Sequence, residues 1–570
     1  ENTKDNQICG FGVMWRRISA LPYPRALTRA SQAQNGRRAF ARMMSGKSSF
    51  EWATVDPFTM SESSPAKGQN LVKGEWRDAK ETLFLKDPLN GDSFLEIPDV
   101  QVDEIPDFVA GLTSTPKSGL HNPLRNVERY VMLGEVCERA AQLLGQPEIE
   151  EYFTKLIQRV VGKSWGQCKG EVVVVRKWLS SFAGDNVRNL SRSFGLPGDH
   201  FGQETRGYRW PFGGVCVITP FNFPLEIPCI QALSALFMGN RPLVKIDEKV
   251  QIVFEQMIRL LLHCGLPKED LDMLWSKGPV CMEVLKQADC RMTLFTGSQP
   301  VAELLTKELR GKVKLEDAGF DWKILGPDVH DIDYVAWQCD QDAYAYSGQK
   351  CSAQSILFVH ENWKKAGIVE KISEKACARN LEEMTLGPVI TWTNDRIKSH
   401  IDALLAIPGA EVVCGGKPLE GHTIPSCYGA FEATAVFVPL AEMMKPENYK
   451  LATTELFGPF QVITEYNDSS LDQVLEACER MESHLTAAIV SQDINFQQKV
   501  LGNTVNGTTY AGVRARTTGA PQNHWFGPAG DPRSAGIHTP EAIKLVWSTH
   551  REIIYDCGRA DASWTAPKAT

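Results

Sequence analysis

Between residues 214 and 318, short apolar runs alternate with amphipathic stretches, and this alternation limits the fold more than any other feature of the chain. "GVCVITP" leads into "PLEIPCIQALSALFMG", "RPLVKI" into "EKVQIVFEQMIRLLLHCG", "LDMLWS" into "VCMEVLKQA" and "MTLFTG" into "QPVAELLTKELRG"; "KVKLEDAG" closes the series. Runs with no polar alternation suit strands buried on both faces, and intervening helices supply the cover. The prediction is a parallel, doubly wound α/β sheet of the dinucleotide-binding type. Upstream, residues 125–183 carry apolar side chains at three- and four-residue spacing and predict helices. The next stretch, "DNVRNLSRSFGLPGDHFGQETRGYRWPFGG", is polar, aromatic and punctuated by glycine, which predicts a protruding β-hairpin. A second α/β series follows from about residue 320 to 515, with strands expected at "SILFVH", "AEVVCG", "TAVFVP", "FQVITEYN" and "TAAIVSQD". The end, "GIHTPEAIKLVWSTHREIIYDCG", predicts a helix and then an extended strand.

A chain of 570 residues exceeds a single core, so two or three domains are expected. Its net charge of -8 argues against sequence-independent nucleic-acid binding, which needs clustered cations. Fifteen cysteines show no C-x-x-C pair and no regular spacing, which suggests reduced thiols and no zinc site or disulfide framework. No apolar run approaches bilayer-spanning length, so no membrane span is expected. The N-terminus differs in kind. No acidic residue occurs between Asn6 and Phe50, while Arg16, Arg17, Arg25, Arg29, Arg37, Arg38 and Arg42 interrupt alanine, serine and leucine. Residues 1–45 therefore predict an import segment and a mitochondrial matrix location.

The glycine fingerprint G-x-G-x-x-G is absent. In its place "FTGSQPVAELL" sets Gly297 and Ser298 at a strand-to-helix turn, where a helix N-terminus could hold a pyrophosphate oxygen. Lys245 and Glu248 follow the strand "RPLVKI", at the end where open α/β sheets bind ligands. Any one of these has a plain alternative: a helix cap, a solvated charge, or a packed thiol for Cys351 in "YAYSGQKCSAQS".

Together they say more. "ITPFNFPLEIP", "FTGS", "LEDAG", "GQKCSA" and "ELFGPF" follow one another in an order and spacing that resemble the signature motifs of the aldehyde dehydrogenase superfamily, across about residues 100–555. The resemblance implies a Rossmann-type NAD domain, a second α/β catalytic domain and a small β element for oligomerisation. The expected boundaries are 46–185 for the N-terminal part of the NAD domain, 186–210 for an oligomerisation hairpin and 211–318 for the NAD-binding core. Residues 319–515 are expected to be catalytic, and 516–570 to hold a substrate loop and an oligomerisation strand. It further implies Cys351 as nucleophile, Asn222 as oxyanion donor and Glu316 as hydrolytic base. Glu455 would anchor the nicotinamide ribose with Phe457 beside it, Lys245 and Glu248 would contact the adenosine ribose, and NAD is favoured because a carboxylate repels a 2′-phosphate. Departures stand at Asp317 and Ala318, where the family has leucine and glycine, and at Ala302, where many members have glycine.

"GQKCSA" and the later "RTTGAPQNHWFGPAG" resemble the branch that oxidises glutamate γ-semialdehyde, and "LEDAGFDWKI", "HWFGPAGDPRSAG" and the import-like leader resemble its plant form. That resemblance implies that backbone N–H groups in the run Thr518, Gly519 and Ala520 receive the substrate α-carboxylate, helped by Lys350 and Ser352. Phe221 and Phe526 would wall the aliphatic part, and Glu171 would take the ammonium or else be a helix-surface carboxylate. Self-association into a dimer, within a tetramer, is expected with it. The competing readings are a related enzyme that passes the acyl group elsewhere than to water, a dehydrogenase of another semialdehyde or of a betaine-type aldehyde, and a silent binding protein on the same fold. Retention of Glu316 speaks for hydrolysis, and retention of Cys351 and Asn222 speaks against silence.

Overall fold

The computed structural model describes residues 50–317, 319–519, 523–560, 563 and 565–570; the expectations placed on 1–45, Ala318 and Ala520 fall outside them. The expected parallel strands form at Gly214–Thr219, Arg241–Ile246, Asp272–Met273, Thr293–Thr296 and Val313–Glu316. Gly214 to Thr219 pair in register with Arg241 to Ile246, while on the other side Thr293 meets Cys216 and Thr296 meets Glu316. The chain therefore lays its first three parallel strands in one direction and then returns to add two on the far side of the first. That reversal leaves a crevice between the carboxyl ends of Gly214–Thr219 and Thr293–Thr296, the switch point where such sheets bind ligands. Two antiparallel strands, Asn70–Val72 and Glu75–Arg77, extend the far edge.

The second sheet also has seven strands, in the order Glu411–Cys414, Thr434–Phe437, Phe460–Tyr466, Gln354–His360, Asp321–Leu325, Thr486–Val490 and Thr508–Ala511, parallel except at Glu411–Cys414. Its interior strand "DWKIL" escapes an apolar-run reading because Asp321 and Lys323 interrupt it. Both are fully buried, and the Lys323 ammonium is neutralised by Asp342 at 2.8 Å. Thr508–Ala511 is a half-exposed edge strand rich in threonine and carries little apolar signal.

Helices Glu128–Leu144, Pro147–Val161 and Trp165–Ser181 occupy the stretch expected to be helical. The stretch expected to be a hairpin begins differently, with a 3-10 helix over Gly184–Ser191 that buries Val187 and Leu190. Those two apolar residues, three apart, pack against helix Glu128–Leu144, which a polar reading of the stretch overlooks. Strands Phe194–Pro197 and Gln203–Trp210 then pair antiparallel, and Thr549–Asp556 joins them as a third strand after helix Pro540–Trp547. Every described cysteine is free, and most are buried. Among the described residues no helix is long and apolar enough to cross a membrane.

Candidate active site

The crevice at the switch point opens into a cavity of about 1310 Å³. One wall comes from the ends of the two diverging strands, with Thr219, Phe221 and Asn222 on one side and Thr296, Gly297 and Ser298 on the other. Across from them stand Cys351, Glu455 and Phe457, which precede strands of the second sheet. The carboxyl edge of one sheet thus meets the amino edge of the other, and Glu316, Gly319 and Phe320 line the passage between them.

Cys351 is presented by an unusual loop. Tyr346, Ser347 and Gly348 all have positive φ (58°, 51° and 66°), a conformation that L side chains rarely adopt. The loop holds because the neighbouring segment saturates it. Ser347 Oγ donates to the Gly387 carbonyl at 3.1 Å and accepts from the Gly387 N–H at 2.8 Å. Gln349 Nε2 donates to the Pro388 carbonyl at 2.9 Å, and its Oε1 accepts from the Ile390 N–H at 2.8 Å. Gly348 has no alternative: a Cβ there would stand 1.9 Å from the Gly458 carbonyl oxygen. Burial pushes the Cys351 thiol well above its ordinary range, and the carboxyls of Glu316 and Asp321 push in the same direction.

Glu316, at the end of its strand, is 3% exposed, and neither carboxyl oxygen finds a well-formed hydrogen bond, although the Cys351 thiol is near enough to act on it. Burial raises its pKa to about 7, so near neutrality it exists in both protonation states. Glu455 is raised to about 8, again by burial. Asp321 is fully buried, accepts from the Thr486 N–H at 2.6 Å and is pushed up by burial. It is a third carboxyl near the thiol that sequence reading did not single out. His538 is another: its φ is 77° and its ring acts electrostatically on Glu316.

Asn222 is 1% exposed, and its side-chain amide has no hydrogen-bond partner among the described residues. Its backbone carbonyl accepts from Lys163 Nζ at 3.3 Å. Lys163 is itself buried, pairs with Glu171 at 2.5 Å, and lies over the rings of Phe223 and Tyr346 at 4.7 and 4.9 Å. One cation therefore braces both the Asn222 turn and the loop that carries Cys351. Glu171 corrects both expectations held for it. It is buried, so it is not a surface carboxylate. Its oxygens are taken by Lys163 and by the N–H groups of Leu225 and Glu226, so an ammonium could reach it only by displacing one of them.

At the far end of the cavity Lys245 and Ser298 line the wall, while Glu248 does not line it and is held by Lys245 at 3.3 Å. Ser298 precedes helix Gln299–Glu308 but makes no side-chain cap, which leaves its hydroxyl available to a ligand. Thr219 and Thr296 add two buried hydroxyls without hydrogen-bond partners among the described residues. A long crevice with a helix N-terminus, orphaned hydroxyls and Lys245 fits a dinucleotide. Ala302 is fully buried on that helix.

The residues expected to meet substrate divide. Phe221 lines the cavity and packs edge-on to Phe457 at 5.9 Å between centroids. Lys350, Ser352, Gly519 and Phe526 do not line it. Lys350 is 7% exposed and its ammonium has no hydrogen-bond or ion-pair partner among the described residues; burial, and then Arg516, lower its pKa to about 8. Ser352 is buried beside it, and Phe526 bridges to Ile537.

These features define a dehydrogenase with a cysteine facing a dinucleotide crevice, and the chain belongs to the Aldehyde dehydrogenase family, which matches residues 76–529. A "Probable aldehyde dehydrogenase" of Linum usitatissimum is 57% identical over 546 residues, covering 96% of this chain and 99% of that protein. The "Delta-1-pyrroline-5-carboxylate dehydrogenase 12A1, mitochondrial" of Arabidopsis thaliana is 56% identical over 523 residues, covering 92% and 94%. Among solved structures, PnpE in complex with nicotinamide adenine dinucleotide superposes with a TM-score of 0.74 over 87% of this chain and 99% of that one, at 20% identity, a likeness of fold.

The Cys351 loop yields a direct test. Gly348→Ala adds both a Cβ facing the Gly458 carbonyl and a left-handed alanine, the latter alone costing ~1–2 kcal/mol. Thermal inactivation should begin several degrees lower and activity should fall, while Gly166→Ala, where a Cβ meets nothing within 4 Å, should change neither. Equal behaviour of the two variants would contradict this account of the loop.

Proposed function

We propose that this chain oxidises glutamate γ-semialdehyde to glutamate with NAD as the electron acceptor. The observation that carries the reading is the convergence of Cys351, Glu316 and Asn222 on one end of a dinucleotide-shaped cavity, with the unpartnered Lys350 ammonium next in sequence to the thiol. The 56% identity to the Arabidopsis enzyme supports the same substrate.

In this reading the Cys351 thiol gives its proton to solvent as the sulfur adds to the aldehyde carbon, forming the S–C bond of a thiohemiacetal. The Asn222 amide and the Cys351 backbone N–H donate to the oxygen that becomes negative. NAD, when bound, supplies the acceptor for the hydrogen and two electrons that leave this carbon as the thioester forms. Glu316 then takes a proton from water as the water attacks the thioester, releasing the carboxylic acid and returning the thiol. Lys350, Ser352 and the N–H groups around Gly519 and Ala520 receive the α-carboxylate, and Phe221 and Phe526 flank the methylenes. Lys245, Gly297, Ser298, Glu455 and Phe457 hold the cofactor, and Glu248 acts on it only through Lys245. Residues 46–185 and 211–318 serve as the cofactor-binding part and 319–515 as the catalytic part.

Self-association is supported by the three-stranded sheet, whose outer strands Phe194–Pro197 and Thr549–Asp556 leave Phe194, Leu196 and Ile554 exposed. The acid-free, arginine-rich N-terminus and the mitochondrial name of the Arabidopsis relative support a mitochondrial enzyme, imported into the matrix.

Replacing the base separates the two halves of the reaction. Glu316→Gln should release a first equivalent of NADH in a burst and then turn over ~100-fold more slowly; an unchanged steady state would remove Glu316 from this role. A second test uses pH. The Lys350 ammonium is charged below about 8 and neutral above it, so KM for glutamate γ-semialdehyde should climb as pH passes that value. For hexanal, which has no carboxylate, KM should stay flat. A parallel rise for both aldehydes would exclude Lys350 as the carboxylate's partner.

A further inference from the structure

Asp342 has no part in the chemistry above, yet its carboxylate gathers more donors than any residue of the site. It is fully buried on helix Ile332–Tyr344. It accepts from Lys323 Nζ at 2.8 Å, Arg516 Nε at 2.8 Å, the Thr517 N–H at 2.9 Å and Thr518 Oγ1 at 2.6 Å. Burial alone would raise its pKa, but Lys323 and Arg516 outweigh it and hold the carboxyl below its ordinary value. Arg516 also donates to Thr518 Oγ1 at 3.0 Å, and its guanidinium sits 5.2 Å over the ring of Trp337 on the same helix.

Two consequences follow from where these donors lie. Arg516, Thr517 and Thr518 form the segment that runs directly into Gly519, so Asp342 anchors the base of that loop. Asp342 also stands nine residues before Cys351, on a helix that ends at Tyr344 and passes into the locked 346–349 loop. One carboxylate therefore ties the thiol's own segment to residues 516–518, which lead into Gly519. The charge count agrees. Lys323 and Arg516 both pair with the fully buried Asp342 carboxylate, whose charge also acts on Lys350, so three cations share one carboxylate and leave positive charge that an anionic ligand would balance.

We propose that Asp342 is a positioning residue that fixes the separation between Cys351 and the loop at Gly519, and so selects aldehydes whose carboxylate lies at one particular distance from the carbonyl. This rests on the reading of that loop as the carboxylate's receiver. Lys350 belongs to the same device. The charged groups acting on it are Arg516, Asp342, Lys163 and Arg379; of the two carboxylates nearest these cations, Glu171 is committed to Lys163 and Asp340 to Arg379.

The test is Asp342→Asn in the full-length enzyme, assayed with glutamate γ-semialdehyde, with the homologous aspartate β-semialdehyde and with hexanal. KM for glutamate γ-semialdehyde should rise ~10–100-fold, the loss expected of a hydrogen bond to a charged group. Its kcat, and the KM values for hexanal and NAD, should stay near those of the wild type, and the preference over the shorter homologue should shrink. The pH at which KM climbs should also fall, because the negative charge that favours protonated Lys350 is gone. A loss shared equally by all three aldehydes, or no change in KM, overturns the proposal. Asp342→Asn strands the Lys323 ammonium in the core. Should it not fold, the double variant Arg516→Gln, Thr518→Val cuts the same tether from the loop side and must show the same split; an unchanged KM in that variant also overturns the proposal. A wild-type enzyme that ignores glutamate γ-semialdehyde is a different outcome, and it would sink the substrate assignment instead.

Discussion

The chain passes from one sheet to the other through Gly319, and the site depends on that passage having no side chain. A Cβ on Gly319 would lie 2.0 Å from the Cys351 carbonyl oxygen and 2.8 Å from Asp321 Oδ2. Its absence lets the end of the strand carrying Glu316 run against the residue that carries the thiol. Glu316 and Cys351, from opposite sheets, thereby share one wall. The left-handed Tyr346–Gly348 loop is the complementary constraint, since it turns Cys351 back toward that crossing and is paid for by the Ser347 and Gln349 hydrogen bonds.

Burial then sets the electrostatics. Glu316, Glu455 and Asp321 all sit where water is scarce and all have raised pKa values, so the carboxyls around Cys351 are reluctant to ionise. Two buried lysines are handled differently. Lys163 is neutralised by Glu171 and serves the architecture of the Asn222 turn, whereas the Lys350 ammonium is unpaired among the described residues. Buried carboxyls around Cys351 discourage a free thiolate.

Much of this was legible in the sequence, and the failures have physical causes. The parallel strands around the crevice could be read from apolar runs because both of their faces are buried. Cys351, Glu316 and Asn222 could be picked out because each lies in a motif with matching partners elsewhere in the chain. "DWKIL" was missed as a strand because buried Asp321 and Lys323 look like surface charges until their partners are known. For the same reason nothing marked Asp342: its partners lie at Lys323 and at 516–518, and only the fold brings them together. Glu171 was noticed but misjudged, since its partner Lys163 lies two turns upstream outside any motif.

The account stands on Cys351 forming a covalent bond to the substrate carbon. Acid quenching of the wild-type enzyme during its first turnover with glutamate γ-semialdehyde and NAD, followed by peptide mass mapping, examines that bond directly. A glutamyl adduct should appear on the peptide that contains Cys351 and decay as glutamate forms. NADH formation with that peptide unmodified throughout, or an adduct on another cysteine, would contradict it.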